Sequence, residues 1–257
     1  MKIRLFKKSD KSKNSSRPKE ALSDKSKFAI VEAYKAARTN IMFSLSSSEK
    51  KSFCVTSFSK GEGKSTASSN LAISFSKLDR KVVIVDCDLR RPNLHNILKI
   101  DNTKGLSDVI AKMTTLDEAI HHDVIPCLDV LTSGTIPPNP SELLGSKYMS
   151  VLLKKLREVY DFVIVDAPPV GSVTDATVIA KETDGVILVI SQGEISYKFE
   201  QKVLSDLKIS GCRILGAILN KVDMSEKGYY GNYYGKYYGK YYGKYYGKYG
   251  AEEEQQQ

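Results

Sequence analysis

Short apolar runs alternate with amphipathic stretches across residues 28–223. Most of the runs are continuous and β-branched, which is typical of parallel strands covered by helices on both faces. The predicted strands are 53–56, 82–85, 128–131, 162–165, 186–190 and 214–219. Helical patterns lie between them, for example at 65–78, 149–159 and 197–207, and an extra helix, 29–45, precedes the first strand. The alternation predicts a doubly wound, mostly parallel α/β sheet that binds ligands at the carboxyl ends of its strands.

Composition divides the chain into three parts. Residues 1–27 are rich in Lys and Ser and poor in apolar residues, which predicts a disordered basic arm. Residues 28–223 are the predicted α/β domain, long enough for one sizeable core. In residues 224–257, Tyr-Tyr-Gly-Lys repeats every four residues before an acidic, Gln-rich tip, which predicts a disordered tail. No stretch of the sequence approaches the ~18 consecutive apolar residues of a membrane helix.

The formal net charge of +9 is concentrated at the N-terminus. Residues 1–20 carry a net charge of +6 and residues 224–257 carry +1, which leaves +2 for the rest of the chain. A nearly neutral central domain does not favour nucleic acid as a partner. The basic arm is either a solvated tail or a segment weakly attracted to an anionic membrane surface, at ~1 kcal/mol per basic residue.

Cysteine and histidine spacing gives no sign of a metal centre. The four cysteines are far apart and contain no Cys-x-x-Cys pair, which fits reduced cytosolic thiols better than a disulfide or zinc framework. His95, His121 and His122 lack ligand spacing and are interpreted as ordinary surface or loop residues.

A glycine-rich segment follows the first predicted strand and opens a helix. It reads Ser57-Phe58-Ser59-Lys60-Gly61-Glu62-Gly63-Lys64-Ser65-Thr66. Backbone N–H groups of such a loop, together with the helix N-terminus, bind phosphates. Lys64 can reach the β- and γ-phosphates, and the Ser65 hydroxyl can ligate Mg²⁺. Residues 59–66 are therefore predicted to bind ATP, with Phe58 standing where the usual pattern has its first glycine.

Three carboxylates end two other predicted strands. Asp86-Cys87-Asp88-Leu89-Arg90 follows the second strand, and Asp166-Ala167-Pro168-Pro169 follows another. Asp86 and Asp88 could simply cap a turn. Beside a phosphate loop they are better explained as a magnesium ligand and a base that orients a hydroxyl or a water molecule. Asp166 stands where a Walker B aspartate belongs, and Mg²⁺ needs few carboxylates when phosphate oxygens are present.

Together these motifs resemble the deviant-Walker P-loop ATPases, which include partition and division-site ATPases and the bacterial tyrosine kinases of capsule and exopolysaccharide synthesis. Ser59 stands where the first branch has its signature lysine. Residues 134–144, Gly-Thr-Ile-Pro-Pro-Asn-Pro-Ser-Glu-Leu-Leu, closely resemble a loop-helix segment of the tyrosine kinases. Glu32, Lys35 and Arg38 are similar to their Glu-x-x-Arg-x-x-Arg oligomerisation helix, with Lys35 where Arg is expected.

The tail holds eleven of the fifteen tyrosines. Composition alone is compatible with a sticky low-complexity segment or with an aromatic-basic platform for single-stranded nucleic acid. Joined to a kinase-like site, the cluster is predicted to be the phosphoacceptor. These tyrosines are Tyr229, Tyr230, Tyr233, Tyr234, Tyr237, Tyr238, Tyr241, Tyr242, Tyr245, Tyr246 and Tyr249.

The resemblance implies an ATP- and Mg²⁺-dependent protein-tyrosine kinase that autophosphorylates its tail in trans within a ring-like homo-oligomer. It also implies regulation of polysaccharide synthesis and export, a membrane-spanning activator (a polysaccharide co-polymerase) and a cognate tyrosine phosphatase. No nucleic acid is expected. The expected location is cytoplasmic, peripheral to the inner face of the membrane through that activator.

Roles can be assigned to the individual residues on the same hypothesis. Ser65, Asp88 and Asp166 hold Mg²⁺, and Asp86 accepts the tyrosine proton. Lys64 neutralises developing charge and Arg90 assists. Near the last strand, Asn220-Lys221-Val222-Asp223 resembles a base-reading loop with Asn220 as adenine contact, although a plain strand-end turn is the alternative. Two rival functions remain open, an ATP-driven dimerisation switch of the partition kind and a nucleic-acid-binding protein.

Overall fold

The computed structural model describes residues 21–23, 26, 28–46, 51–192 and 196–222. The strands in this part of the chain are β1 (Lys51–Ser57), β2 (Val82–Asp86), β3 (Ile120–Ile125), β4 (Leu128–Leu131), β5 (Phe162–Asp166), β6 (Val186–Ser191) and β7 (Ile214–Asn220). The helices are α1 (Phe28–Ser44), α2 (Lys64–Ser76), α3 (Leu94–Leu98), α4 (Leu106–Ile110), α5 (Leu116–Ala119), α6 (Pro140–Leu144), α7 (Lys147–Val159), α8 (Asp175–Ala180) and α9 (Tyr197–Ile209).

The strands form one sheet in the order β3-β4-β2-β5-β1-β6-β7. All neighbours are parallel except β3 and β4. Asp86 at the end of β2 is in register with Asp166 at the end of β5, and Val55 of β1 also pairs with Asp166. The carboxyl ends of β1, β2 and β5 therefore lie side by side.

Both faces of the sheet are covered by helices. On β1, Phe53 and Val55 face a core shared with α1, α2 and α3, whereas Cys54 faces a second core formed mainly with α4, α7, α8 and α9. Because successive side chains of a strand point to opposite faces, the buried central strands need apolar residues at consecutive positions. This requirement explains the continuous runs in the sequence, and the predicted doubly wound fold is confirmed.

The six predicted strands and the four predicted long helices are all present, with ends shifted by two residues or fewer. The edge strand β3 was missed, because its sequence Ile-His-His-Asp-Val-Ile is neither a continuous apolar run nor a clean alternation. It pairs antiparallel with β4 and has an irregular register between His121 and Ile125. His121 and His122 lie in this strand; His122 is a surface residue, as predicted, and His121 is half-buried.

Ordered packing begins inside the predicted basic arm. Leu22 is buried against α2, and its backbone N–H donates to Asn70 Oδ1 at 2.8 Å. None of the four cysteines, all of which belong to the described residues, forms a disulfide. In the same part of the chain, no helix combines the length and apolar character needed to span a membrane.

Candidate active site

The loop between β1 and α2 depends on glycine at two positions. Gly61 and Gly63 have φ angles of +91° and +90°, a conformation that L side chains rarely adopt. A Cβ atom at Gly63 would also lie 2.3 Å from Asn220 Nδ2. The turn places the N-terminus of α2, which starts at Lys64, directly behind the loop. Loop amides and the helix N-terminus together form an environment suited to phosphate.

Phe58 explains how this loop works without its expected first glycine. The Phe58 ring is fully buried and belongs to the core on the α7–α9 side of the sheet. Position 58 therefore serves packing, while the loop conformation rests on Gly61 and Gly63. Lys60 and Gly61 are exposed at the tip of the loop, and Thr66 lies in the first turn of α2.

Glu62 braces the loop from behind. Its buried carboxylate accepts hydrogen bonds from the backbone N–H groups of Ser59, at 2.7 Å, and Ser191, at 3.1 Å. Asn220 Nδ2 donates to the Glu62 backbone carbonyl at 2.8 Å. Glu62 was predicted only as one residue of the nucleotide loop. The charge of Glu62 could have indicated this structural role. A carboxylate that faced the phosphates would repel them, so it must point elsewhere.

Lys64 joins two of the three predicted carboxylates. Its Nζ lies 2.8 Å from Asp88 Oδ2, 3.5 Å from Asp166 Oδ2 and 3.1 Å from Ser65 Oγ. Ser68 Oγ donates to the other Asp166 oxygen at 2.8 Å. All of these groups are buried. The loop and the ends of β2 and β5 thus form one charged cluster at the carboxyl edge of the sheet.

Burial and charge shift the pKa values in this cluster. Burial alone would lower the pKa of Lys64, but Asp166 and Asp88 outweigh it and raise that pKa above its ordinary value. Burial raises the pKa of Asp166, although Lys64 acts in the opposite direction. Lys64 is therefore a permanent cation, and it partly compensates carboxylates that are costly to bury.

Asp86 makes the contacts of the simpler alternative considered for it, a turn cap. Its Oδ2 accepts from the backbone N–H groups of Asn93, at 3.2 Å, and Leu94, at 3.1 Å, and its Oδ1 accepts from Asp88 N–H at 3.1 Å. It therefore caps the turn that leads into α3. Burial, followed by repulsion from Asp166, raises the pKa of Asp86 to about 7. A carboxylate with a pKa near neutrality is also suited to accept a proton at physiological pH.

Arg90 is bound away from the phosphate loop. Its guanidinium bonds to Asp175 and Ser141, with 2.7 Å between Nε and Asp175 Oδ2. Hydrogen bonds from Arg90 and Ser141 outweigh the effect of burial and lower the pKa of Asp175. The structure thus brings Lys64, the three carboxylates and Ser65 together but gives Arg90 other partners, neither of which was singled out from the sequence.

The donor set of this cluster fits ATP with Mg²⁺. Magnesium is usually held by one or two carboxylates, water and the phosphates of the substrate, without an all-protein cage. Asp88, Asp166 and the Ser65 hydroxyl supply such a set beside the phosphate loop. Among the described residues, no group of three or more His, Cys, Asp or Glu is arranged to hold a metal ion.

The predicted oligomerisation residues lie on α1. Lys35 Nζ pairs with Glu32 Oε1 at 2.8 Å on the exposed surface of the same helix. Arg38 donates to the backbone carbonyl of Ser74. The predicted phosphoacceptor tyrosines and most of the basic arm lie outside the described residues.

Comparisons with known proteins agree with this geometry. A family model described as an AAA domain matches residues 50–209. Tyrosine-protein kinase YwqD of Bacillus subtilis (strain 168) is 42% identical over 203 residues, which cover 78% of this chain and 86% of that protein. The solved kinase domain of Escherichia coli tyrosine kinase ETK has a TM-score of 0.71 and 38% identity, over 74% of each chain. The chain belongs to the bacterial tyrosine kinase family.

A more distant neighbour of this kinase supports its nucleotide site. The septum site-determining protein MinD of Pyrococcus horikoshii, solved in complex with Mg-ADP, has a TM-score of 0.59 and 29% identity. The match covers 70% of this chain and 73% of that protein. Membership of the P-loop ATPases implies nucleotide binding by this kinase, in keeping with the loop at residues 59–66.

Replacing Asn220 by alanine should weaken nucleotide binding. Its amide braces the Glu62 carbonyl, and loss of a hydrogen bond worth about 1 kcal/mol lowers affinity roughly fivefold. We expect this loss for both ADP and inorganic tripolyphosphate in calorimetry, because the bracing acts on the phosphate loop. A further loss for ADP alone would measure the predicted adenine contact. Unchanged tripolyphosphate affinity would contradict the bracing role.

Proposed function

We propose that the chain is an ATP- and Mg²⁺-dependent kinase that phosphorylates the tyrosines of its own C-terminal tail, each tail entering the site of a neighbouring subunit. One observation carries the proposal. A phosphate-loop lysine, Lys64, is ion-paired with Asp88 and Asp166 beside a third buried carboxylate, Asp86. The same chain supplies eleven tyrosines within residues 229–249.

ATP binding is assigned to the loop and the start of α2. The backbone of residues 59–66 surrounds the phosphates, and Lys64 leaves Asp88 and Asp166 to contact the β- and γ-phosphates. Ser65, Asp88 and Asp166 are then free to hold Mg²⁺. The bound cation neutralises phosphate charge and orients the phosphates for transfer.

Asp86 is assigned the role of proton acceptor. The tyrosine oxygen forms a bond to the γ-phosphorus, the bond from that phosphorus to the bridging oxygen of ADP breaks, and the phenolic proton passes to Asp86. An ordinary tyrosine has a pKa of about 10, but a loose transition state asks little of the base before the phosphoryl group moves. The raised pKa of Asp86, about 7, favours acceptance of that proton.

Assembly and partners are inferred from what is typical of the family. We infer a ring-like homo-oligomer in which Glu32, Lys35 and Arg38 contribute to the contact between subunits. We also infer a membrane-spanning activator, a cognate tyrosine phosphatase and control of capsular or exopolysaccharide synthesis and export. The kinase is then cytoplasmic and peripheral to the membrane.

The proposal is tested with labelled ATP and Mg²⁺ on the purified full-length chain, with and without membranes from the source cells. We expect phosphotyrosine in residues 229–249 of the wild type and none in a variant with all eleven tail tyrosines changed to phenylalanine. To test transfer in trans, that variant is mixed with Lys64→Met, whose tail is intact but whose site is impaired. Label on the Lys64→Met tail is expected. Phosphate release without phosphotyrosine would instead indicate an ATPase switch.

A further inference from the structure

Three side chains join the loops that follow β2, β4 and β5. Arg90 Nε donates to Asp175 Oδ2 at 2.7 Å, and Arg90 Nη2 donates to Asp175 Oδ1 at 3.4 Å and to Ser141 Oγ at 3.2 Å. Ser141 Oγ in turn donates to Asp175 Oδ1. These three residues are referred to below as the clasp.

We propose that the clasp is a positioning device for the magnesium ligands and that Arg90 acts through it, without contact with the transferred phosphoryl group. The inference rests on the proposed function to the extent that Asp88 and Asp166 hold Mg²⁺. It assigns roles to Asp175 and Ser141 and changes the role expected for Arg90.

Arg90 is held in the clasp by paired contacts. Two of its three guanidinium nitrogens are engaged by the clasp, in the paired arrangement that makes arginine–carboxylate contacts specific. The side chain of Asp175 is only 1% exposed. Withdrawing Arg90 toward a nucleotide would leave that buried carboxylate without its cation, which is strongly unfavourable. Although 43% of the Arg90 side chain is exposed, these contacts favour the clasp over a contact between Arg90 and the nucleotide.

Asp88 belongs to a loop that Asp86 and the clasp restrain. The carboxylate of Asp86 holds both ends of the loop, through the backbone N–H of Asp88 at its start and those of Asn93 and Leu94 at its end. Between these ends, Arg90, two residues after Asp88, is held by the clasp. A loop restrained at both ends presents the Asp88 carboxylate in one place.

The clasp joins elements that follow different strands of the sheet. Asp175 begins α8, which follows the loop after Asp166, and Ser141 lies in α6, which follows the loop after β4. Asp86 and Asp166 are register partners on neighbouring strands. The clasp therefore fixes the Asp88 loop relative to the loop that follows Asp166. Loosening it should disturb the position of Asp88 relative to Asp166 while leaving the backbone of the phosphate loop, residues 59–66, in place.

The test compares Arg90→Gln, Asp175→Asn and the double variant in two measurements. The first is Mn²⁺ binding in the presence of ADP, detected by electron paramagnetic resonance. The second is the dependence of tail phosphorylation on Mg²⁺ concentration. Each single variant should weaken Mn²⁺ binding about tenfold, as loss of a group that orients a metal ligand typically does. The Mg²⁺ concentration that gives half-maximal tail phosphorylation should rise by about the same factor, whereas loss of a group that contacts the transferred phosphoryl group would lower the maximal rate itself. The double variant should bind Mn²⁺ no more weakly than the single variant with the lower affinity, because the two substitutions remove the same contact.

Controls separate the clasp from charge and from folding. Arg91→Gln makes the same charge change at the exposed neighbouring arginine and should leave Mn²⁺ binding unchanged. Arg90→Lys keeps the charge but not the paired contact, and should resemble Arg90→Gln. Thermal melts identify any variant that fails to fold. If Arg90→Gln is not folded, the Mn²⁺ affinity of Asp175→Asn, which keeps the size of the side chain, tests the inference.

Two results would overturn the inference. One is wild-type Mn²⁺ affinity in both folded single variants. The other is an approximately hundredfold loss of phosphorylation at saturating Mg²⁺ in Arg90→Gln alone, the effect expected of a group that stabilises the transition state. Mn²⁺ binding is measurable whether or not a tyrosine is modified. Failure of the proposed function would appear as an absence of phosphotyrosine in the wild type. It can therefore be distinguished from failure of the clasp inference.

Discussion

Replacing Lys64 by methionine is expected to lower tail phosphorylation at least about hundredfold and, in the absence of nucleotide, to strengthen Mn²⁺ binding. The first effect follows because Lys64 is the buried cation at the phosphate loop, and removal of one such preorganised group typically costs about 10²–10³ in rate. The second follows because Lys64 Nζ occupies Asp88 Oδ2, at 2.8 Å, and lies 3.5 Å from Asp166 Oδ2. Those oxygens are the ones that a metal ion would use.

The Lys64 variant should also depend on metal for stability. Without the ammonium group, the negative charges of Asp88 and Asp166 are buried uncompensated, which typically costs about 3–5 kcal/mol. We therefore expect a lower melting temperature in a chelator and a larger rise on addition of Mn²⁺ than in the wild type. Lys77→Met, at the exposed end of the same helix, is the matched control and should change none of these values. Equal Mn²⁺ affinity of the wild type and Lys64→Met would show that the lysine and the metal do not compete for the carboxylates of Asp88 and Asp166.

The central strands of the fold could be predicted because they are buried along their whole length. β2 and β5 are apolar at every position before their final aspartate, and α7 buries one apolar side, so local pattern and final environment agree. The edge strand β3 does not meet that condition. In the described part of the chain β3 pairs with a single strand, β4, and its His122 and Asp123 remain exposed, so its sequence carries no clear period.

The candidate site could be predicted only as far as chemistry is local. The order strand, glycine loop and helix identifies Lys64 and Ser65, and a strand end identifies each aspartate. The partners of a side chain depend on which loops meet in space. Arg90 binds Asp175, 85 positions along the chain, and the Glu62 carboxylate binds the backbone of Ser191, which no local pattern indicates. The sequence allowed a capping role for Asp86 as an alternative. The raised pKa of Asp86 could not be predicted, because it depends on burial and on Asp166 of a neighbouring strand.

Replacing Gly105 by alanine should destabilise the chain by about 3 kcal/mol, at the upper end of the usual cost of overpacking. A Cβ atom there would lie 2.2 Å from the backbone nitrogen of Gly134 and 2.4 Å from the carbonyl oxygen of Thr132. Backbone atoms cannot rotate away, so the segment after β4 must shift. The hydrogen bonds from Leu106 N–H to Thr132 O, at 2.8 Å, and from Ser107 N–H to Ser133 O, at 3.0 Å, would be disturbed with it. The melting temperature should fall by about 6–12 °C in calorimetry.

Gly216→Ala is the matched control, because a Cβ atom at Gly216 would meet nothing within 4 Å. Its stability should stay within about 0.5 kcal/mol of wild type. Similar melting temperatures for the two alanine variants would contradict the steric argument. The position also connects stability to the site, since the segment that rests on Gly105 leads into α6 and Ser141 of the clasp. A folded Gly105→Ala protein should therefore need more Mg²⁺ for tail phosphorylation, whereas Gly216→Ala should not. A Gly105→Ala protein that is less stable but has a normal Mg²⁺ requirement would show that the clasp keeps its geometry when this segment moves.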